Sequence, residues 1–233
     1  MSTHAKKNHS KEKSSPTAKK IQKGCAKGRR SQVEQGSFRV IGGVWRSRRL
    51  LFPAVEGLRP TTDRVRETLF NWLSSELQGA HVLDVFSGSG ALGLEALSRG
   101  AANLLAIEKD RMAAQALQDN VTRLVNNEIT HQQIKIVNQD ALMYLTLARE
   151  SSGHENGSDS YDLIFLDPPF RKGILEEVIE ILDEHPLIAD GALLYIEREK
   201  EMQQTSLPKT WSLLKEKVAG QVSYQLYRVN KAR

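Results

Sequence analysis

The sequence predicts an α/β fold built on a mostly parallel sheet, and three observations support this prediction. From residue 80 onward, short apolar runs typical of strands alternate with segments whose apolar residues have helical spacing. Glycines at 79, 100 and 191 mark the transitions between these segments. The last two apolar runs, 210–218 and 221–229, flank Ala219-Gly220, which indicates a hairpin. Such a pattern is typical of a parallel sheet that is closed by an antiparallel edge.

The elements are expected in a definite order. Two short strands within 38–45 and 49–53, around a turn of glycine and arginine, predict an N-terminal β-hairpin. A helix is expected at 63–77, with Thr61, Thr62 or Asp63 as its cap. The parallel strands are expected at 81–86, 103–108, 133–138, 161–167 and 192–197. The helices between them are expected at 91–99, 110–125, 141–149 and 174–184.

Positive charge is concentrated at the N-terminus. Residues 1–35 hold ten Lys/Arg and two acids, a net charge of +8, whereas the remainder holds 23 Lys/Arg and 26 Asp/Glu, a net charge of −3. The first segment is rich in Lys, Ser and Gln and has no apolar periodicity, so we expect a disordered tail. Such a polycation suits nucleic acid, although a solubilising extension has the same composition. The predicted division is a basic tail at 1–36, the hairpin at 37–58 and the main domain at 59–233.

Several classes of protein are disfavoured. Cys25 is the single cysteine, so no internal disulfide forms, and the six histidines are scattered without metal-ligand spacing. No run of 18 apolar residues and no apolar signal-peptide core occur. We therefore expect a cytoplasmic monomer without a metal and without a membrane partner.

Four consecutive residues, Asp167-Pro168-Pro169-Phe170, suit the task of holding a planar amine. They follow an apolar run at 161–166 that is typical of a buried strand. Asp167 can accept one amine proton, the carbonyl of Pro168 can accept the other, and Phe170 can stack on the ring. The two prolines make this corner rigid. These four are the candidate catalytic residues, and the alternative is a proline-rich turn with Phe170 in the core.

The segment after the first parallel strand satisfies G-x-G-x-x-G through Gly88, Gly90 and Gly93, a motif that predicts a dinucleotide site. Asp84 argues against this interpretation, because a carboxylate just before the glycines would crowd a pyrophosphate but suits an ammonium group. Glu108 ends the second strand, where an acid can bond ribose hydroxyls. S-adenosylmethionine has the ammonium and the ribose but no phosphate, so we predict it as the cofactor.

The acids at strand ends are expected to share one crevice, because ligands gather at the carboxyl ends of parallel strands. Asp140, after the third strand, is placed to accept a hydrogen bond from the adenine amine. As isolated residues, such acids are more often helix caps, and Asp110 and Asp140 have that alternative.

With these residues, the chain resembles class I S-adenosylmethionine-dependent methyltransferases. More narrowly, it resembles the RsmD family, bacterial enzymes that methylate the N2 amine of one guanine in 16S ribosomal RNA. The resemblance runs from about Phe38 to the C-terminus, and its specific stretches are 39–43, 58–67, 84–90 and 167–170. It implies a Rossmann-like, seven-stranded sheet whose last strand is antiparallel, with helices on both faces. The Lys-rich tail lies outside the family pattern.

The resemblance also implies that the Arg-Pro-Thr stretch at 59–61 borders the methionine end of the cofactor, and that 59–233 is the methyltransferase domain. The complete set of candidate cofactor-binding residues is Thr61, Asp84, Phe86, Gly88, Ser89, Gly90, Leu92, Glu108, Lys109, Asp140, Ala141 and Asp167.

RNA contacts are expected from the arginines of the N-terminal region. Arg46-Ser47-Arg48-Arg49 falls in the predicted hairpin turn, where side chains can reach phosphates, although a solvated turn is the alternative. Arg66 lies on a predicted helix and has the alternative of pairing with Asp63 or Glu67. The candidate RNA-binding residues are Arg39, Arg46, Arg48, Arg49, Arg59 and Arg66.

The expected reaction is methyl transfer to guanine N2 in 16S ribosomal RNA, either free or in an assembling 30S particle. The target guanine must be in a loop or flipped out, since pairing hides its amine. Two alternatives stay open. One is a DNA adenine-N6 or protein glutamine methyltransferase, because the tetrad at 167–170 suits those amines too. The other is an RNA-binding protein that retains the fold without turnover.

Overall fold

The computed structural model of the protein describes residues 35–55, 61–125, 132–151, 160–169, 173–183, 185–200 and 206–231. Nearly all of the predicted basic tail lies outside the described residues. So do two of the candidate site residues, Arg59 and Phe170.

An N-terminal hairpin pairs β1 (Gln35–Arg39) with β2 (Arg49–Pro53) in antiparallel register. The hairpin was predicted, but its first strand ends earlier than expected, because the chain leaves the ladder at Val40. Residues 40–48, here called the hairpin loop, bury Val40 and Trp45 in the core. Gly43 adopts φ +75°, and a Cβ there would lie 1.7 Å from the backbone oxygen of Ser98. The burial of Val40 and Trp45 and the close approach of Gly43 to Ser98 explain why residues 40–48 do not continue the strand.

The main sheet has seven strands in the order β5-β4-β3-β6-β7-β9-β8. They are β3 (His81–Asp84), β4 (Asn103–Glu108), β5 (Gln133–Asn138), β6 (Tyr161–Leu166), β7 (Ile188–Glu199), β8 (Trp211–Ala219) and β9 (Val222–Val229). β3 to β7 are parallel, and β9 is antiparallel to both of its neighbours. The predicted mostly parallel sheet with an antiparallel last strand is therefore confirmed.

Five helices connect or precede these strands: α1 (Asp63–Trp72), α2 (Ala91–Ser98), α3 (Arg111–Val125), α4 (Ala141–Ser151) and α5 (Leu175–Asp183). α1 was expected to reach residue 77 but ends at Trp72. The Ser74 hydroxyl donates to the backbone oxygen of Asn71 at 3.2 Å, and the Glu76 nitrogen lies 2.9 Å from the Leu73 oxygen, a tighter turn. Serine side chains compete in this way with helical bonding.

Both faces of the sheet are covered, and each has its own core. The hairpin, α1, α2 and α3 pack on one face, whereas α4 and α5 pack on the other. Successive residues of β6 serve the two cores alternately, with Leu163 and Phe165 on one side and Ile164 and Leu166 on the other. Such two-sided burial is typical of parallel sheets and explains the apolar run at 161–166. Within the described residues, no helix has both the length and the apolar character needed to cross a membrane.

Candidate active site

Acidic residues stand at the carboxyl ends of five adjacent parallel strands. In sheet order they are Asp140 after β5, Glu108 on β4, Asp84 on β3, Asp167 after β6 and Glu197 on β7. β3 lies where the strand order reverses, because β4 is its neighbour on one side and β6 on the other. Ligand sites of α/β sheets form at such switch points. The structure therefore brings the four predicted acids to one edge of the sheet and adds Glu197 to them.

The glycine-rich loop after β3 is fastened to both neighbouring strands. The Val85 nitrogen lies 3.1 Å from the Phe165 oxygen, and the Ser87 nitrogen lies 2.9 Å from the Ile107 oxygen. Gly90 precedes α2 with φ +79°, and a Cβ there would lie 2.3 Å from the side chain of Leu117. The loop thus requires glycine for its own backbone path.

Glu108 braces this loop through both of its carboxylate oxygens. Oε2 accepts from the Gly88 nitrogen at 2.8 Å, and Oε1 accepts from the Asp110 nitrogen at 2.7 Å. Burial raises the pKa of Glu108, and these backbone hydrogen bonds oppose the rise. Each oxygen keeps a further lone pair, so the carboxylate can also accept from the hydroxyls of a ribose.

Asp84 is a buried carboxylate, with 2% of the residue exposed, and it accepts from the Gly93 nitrogen at 3.2 Å. Burial raises the pKa of Asp84 to about 7; the Gly93 hydrogen bond lowers it and the charge of Glu108 adds to the rise. Among the described residues, no Lys or Arg forms an ion pair with Asp84. A carboxylate in this position is stabilised by a proton or by a cationic ligand.

Asp140 already has two partners. Its Oδ2 lies 2.9 Å from Lys109 Nζ, and its Oδ1 accepts from the Met143 nitrogen at 3.3 Å at the start of α4. The hydrogen bond from Lys109 is the main reason that the pKa of Asp140 is lowered. Asp110 caps α3 in a similar way through the Ala113 nitrogen at 2.8 Å. The helix-cap alternative is thus correct for both acids, and a contact of Asp140 with adenine stays a prediction.

Thr61 joins Asp167 to Glu197. Its hydroxyl oxygen lies 3.2 Å from Asp167 Oδ2 and 3.0 Å from Glu197 Oε2. The Tyr195 hydroxyl donates to the same Glu197 oxygen at 3.1 Å. Thr61 and Glu197 are buried, at 6% and 5% exposure, whereas Asp167 is partly buried.

The electrostatics of this group follow from its enclosure. Burial raises the pKa of Asp167 well above its ordinary value, and the charges of Glu197 and Asp84 add to the rise. Burial also raises the pKa of Glu197, which the hydrogen bonds from Thr61 and Tyr195 oppose. Sequence reasoning missed Glu197 as a site residue, although it ends the fifth expected strand and obeys the same strand-end rule as the other acids.

The other candidate residues lie around these acids. Pro168 is buried and Pro169 partly buried directly after β6, so the tetrad at 167–170 is described up to its third residue. The remaining predicted cofactor residues lie in the glycine-rich loop or at the starts of helices: Phe86, Ser89, Leu92, Lys109 and Ala141. Ser89, Leu92 and Ala141 are buried, and the Lys109 side chain is exposed.

Basic side chains are exposed on the hairpin. Arg39, Arg46, Arg48 and Arg49 all face solvent, and Arg49 Nε donates to Ser37 Oγ at 2.8 Å. They lie at the ends of β1 and β2 and in the hairpin loop, and Arg39 also lies 3.9 Å from Asp63.

Arg66 requires a correction. The structure contradicts the prediction that it contacts RNA, because its side chain is fully buried. Its guanidinium lies 2.6 Å from Asp63 Oδ1 and donates to the Arg39 carbonyl at 2.9 Å. The central guanidinium carbon lies over the Phe38 ring, 5.4 Å from the ring centroid. The alternative pairing with Asp63 is confirmed, and Arg66 holds the hairpin against α1.

The fold and the strand-end acids define a class I methyltransferase. A solved structure described as an S-adenosylmethionine-dependent methyltransferase from Streptococcus mutans shares the fold, with a TM-score of 0.63 over 84% of this chain and 56% of its own, at 15% identity. A solved Escherichia coli protein, yhhF, described as a methyltransferase, matches with a TM-score of 0.72 and 44% identity over 84% of this chain and 100% of its own.

Residues 38–228 match the family model described as "Conserved hypothetical protein 95", and the chain belongs to this family, the RsmD family. It is 48% identical to the Ribosomal RNA small subunit methyltransferase D of Escherichia coli K12, over 83% of this chain and 90% of that protein. The protein of the same name from Haemophilus influenzae is 41% identical over 83% and 95%. The predicted family is thus confirmed, and the comparisons agree with S-adenosylmethionine as the cofactor.

Proposed function

We propose that this protein transfers a methyl group from S-adenosylmethionine to the exocyclic N2 amine of a guanine in small-subunit ribosomal RNA. Relatives that are 48% and 41% identical over the aligned residues are named for methylation of that RNA. The observation that carries the proposal is the position of Asp167, a partly buried acid that stands directly before two prolines and beside two buried acids, Asp84 and Glu197.

The residues of the crevice fit this cofactor. Asp84, buried and without a cation among its described neighbours, suits the ammonium group. Glu108 suits the ribose hydroxyls, and Asp140 suits the adenine amine. Thr61 lies beside Asp167, where the methionine end is expected. When bound, the cofactor supplies a methyl group on a positively charged sulfonium.

Catalysis by this site depends on orientation and charge. A guanine amine is a poor nucleophile, because its lone pair is delocalised into the ring. Asp167 and the carbonyl of Pro168 accept one hydrogen bond each from the amine, which turns the lone pair toward the methyl carbon. The carboxylate also stabilises the positive charge that develops on nitrogen. Phe170, outside the described residues, is expected to stack on the base, a contact worth about 1–3 kcal/mol.

RNA is bound by the exposed arginines of the hairpin in this proposal. Arg39, Arg46, Arg48 and Arg49 contact phosphates and position the substrate. Arg59 and the tail at 1–36 add further positive charge, while 59–233 forms the methyltransferase domain and 37–58 its hairpin extension. The protein acts as a cytoplasmic monomer on RNA that is free or in an assembling 30S particle.

The test is transfer of a labelled methyl group from S-adenosylmethionine to purified 16S RNA, 30S particles, DNA and protein. We expect label in small-subunit RNA, and digestion to nucleosides should give N2-methylguanosine. The matched control is Asp167→Ala, which should bind the cofactor but transfer little label. Label in DNA adenine or in protein glutamine would replace the proposal by the corresponding alternative.

A further inference from the structure

The hydroxyl group of Thr61 stands between two carboxyl groups but carries one hydrogen. It lies 3.2 Å from Asp167 Oδ2 and 3.0 Å from Glu197 Oε2, both within hydrogen-bonding distance. One hydrogen cannot serve two ionised acceptors at once. The second contact is a hydrogen bond only if one of the two carboxyl groups carries a proton.

The position of Tyr195 indicates which carboxyl group that is. The Tyr195 hydroxyl lies 3.1 Å from Glu197 Oε2, and burial keeps this phenol protonated by raising its pKa well above the ordinary value. Glu197 is thus the acceptor of two hydroxyl hydrogens, from Tyr195 and Thr61. The remaining proton belongs on Asp167, where it donates to the oxygen of Thr61.

Charges from each neighbouring element favour this proton. Asp84 at the end of β3 and Glu197 on β7 both raise the pKa of Asp167. In the described ranges of the chain, the other titratable groups that face the cluster are the phenols of Tyr195 on β7 and Tyr224 on β9. Among the described residues, no Lys or Arg pairs with Asp167 or Glu197. Within the part of the chain that the structure describes, the positive charge that these carboxyl groups favour is therefore that of a proton or of a ligand.

We propose that Asp167, Thr61 and Glu197 form a unit that exchanges one proton. The unit releases this proton when the cationic sulfonium of S-adenosylmethionine binds beside Asp167, and it takes up a proton again from the methylated amine. This inference rests on the proposed function. The amine that Asp167 holds must lie beside the sulfonium methyl group, because the amine nitrogen attacks that methyl group. The sulfonium then takes the place of the proton as the positive charge of the site.

The exchange balances in atoms and charge. The nitrogen lone pair forms the new bond to carbon, and the electrons of the sulfur–carbon bond stay on sulfur, which becomes neutral. The nitrogen becomes positive and gives its proton to the ionised Asp167. The site has then lost the sulfonium charge and regained the proton, so its net charge is the same before and after transfer.

The test compares proton release on binding of S-adenosylmethionine and of S-adenosylhomocysteine, which has the same ammonium, ribose and adenine but a neutral sulfur. Binding heats of the full-length protein are measured in buffers of different ionisation enthalpy at about pH 7. We expect S-adenosylmethionine to release up to about one more proton, because Asp84 meets the same ammonium in both ligands.

Two variants locate the excess proton. Asp167→Asn removes the group that holds it and should abolish the difference between the two ligands. Glu197→Gln removes the neighbouring charge and should shift the excess release to lower pH. Glu180→Gln on α5, exposed and outside the site, is the matched control and should retain the wild-type difference.

The outcomes separate the two proposals. Equal proton release for both ligands by the wild-type protein, together with normal methyl transfer, would overturn the proton exchange and leave the proposed function standing. An excess that persists in Asp167→Asn would also overturn it. Failure of S-adenosylmethionine to bind would overturn the proposed function and this inference with it.

Discussion

At the scale of single residues, Asp84 shows that a binding site can lower the stability of its own fold. Its pKa in the folded protein is about 7, above the unfolded value of 3.8, because burial disfavours the charge. Folding favours the protonated form of Asp84. The stability that the fold gains from this protonated group is therefore fully present below about pH 4 and is lost as the pH rises through 7. The shift of about three units corresponds to roughly 4 kcal/mol.

Replacement of Asp84 by asparagine should therefore stabilise the free protein in a pH-dependent way. We expect Asp84→Asn to raise the free energy of unfolding by about 1–4 kcal/mol at pH 8 and by less than about half of that at pH 5, because the wild-type protein has lost only part of this stability between the unfolded pKa of 3.8 and pH 5. Urea denaturation at both pH values measures the difference. An equal effect at both pH values would show that the carboxylate is already compensated, and cofactor binding should weaken in either case.

In the proposed mechanism, Asp167 differs from Asp84 because it faces the methyl acceptor. Asp167→Ala should lower single-turnover methyl transfer by about 10²–10³-fold, the typical loss for one preorganised electrostatic contact. Affinity for S-adenosylhomocysteine, whose sulfur is neutral, should change little. Asp167→Asn should be milder if orientation dominates and as damaging if charge dominates. Single-turnover transfer to small-subunit RNA at saturating cofactor is the decisive measurement. If the alanine variant transfers methyl at the wild-type rate, the tetrad at 167–170 is only a structural turn.

At the scale of elements, the hairpin loop depends on α2. Glu95 is fully buried and accepts from the Ile41 and Gly42 nitrogens, both at 2.7 Å. The Ser98 hydroxyl accepts a hydrogen bond from the Trp45 nitrogen at 2.9 Å and donates one to the Gly42 backbone oxygen at 2.6 Å. Two of the exposed arginines, Arg46 and Arg48, thus stand on a loop that hydrogen bonds to α2 hold in place.

Gly43→Ala should test this attachment. Gly43 has φ +75°, and the added Cβ would meet the Ser98 oxygen at 1.7 Å, so the loop must move. Gly79→Ala is the matched control, because φ is +77° but nothing lies within 4 Å of a Cβ there. Both variants carry about 1–2 kcal/mol of backbone strain, and only Gly43→Ala should also raise KM for RNA. Equal KM values would show that loop position does not matter for the substrate.

The elements that the sequence predicted well are those whose apolar pattern is local. The run at 161–166 is buried on both faces and was correctly expected as a strand. The hairpin loop was expected as strand up to residue 45, because Val40 and Trp45 have strand-like character. Their burial depends on α2, 50 or more residues away along the chain, and no local pattern reports such a contact.

At the scale of the whole molecule, the strand-end rule found most of the site. Asp84, Glu108, Asp140 and Asp167 follow four successive parallel strands, and the sheet places them at one edge. The same rule covers Glu197, which ends the fifth strand and was left out, and the structure adds its contact with Thr61, 136 residues away. Arg66 was misassigned, since sequence shows its charge but not the burial that Phe38, Asp63 and Glu95 provide.

Positive charge occurs in two regions of the chain, the N-terminal segment and the hairpin. One change to each region separates their expected roles in RNA binding. Deletion of residues 1–35 removes a net charge of +8. RNA affinity should fall and its salt dependence should flatten, while cofactor affinity stays the same. Neutralising Arg46, Arg48 and Arg49 together should reduce methylation more than the deletion, because these residues are on the ordered hairpin. An unchanged salt slope after the deletion would show that the tail does not bind RNA.

The position of β9 has a consequence for synthesis on the ribosome. β7, which carries Glu197, pairs on one side with β6 and on the other with β9, and β8 has β9 as its sheet neighbour. β9 is the last strand to be made. Until residues 222–229 emerge, β7 keeps an open edge and β8 has no place in the sheet, and such edges invite pairing with other chains. Assembly of the Glu197 side of the candidate site is therefore complete only after β9 has been made.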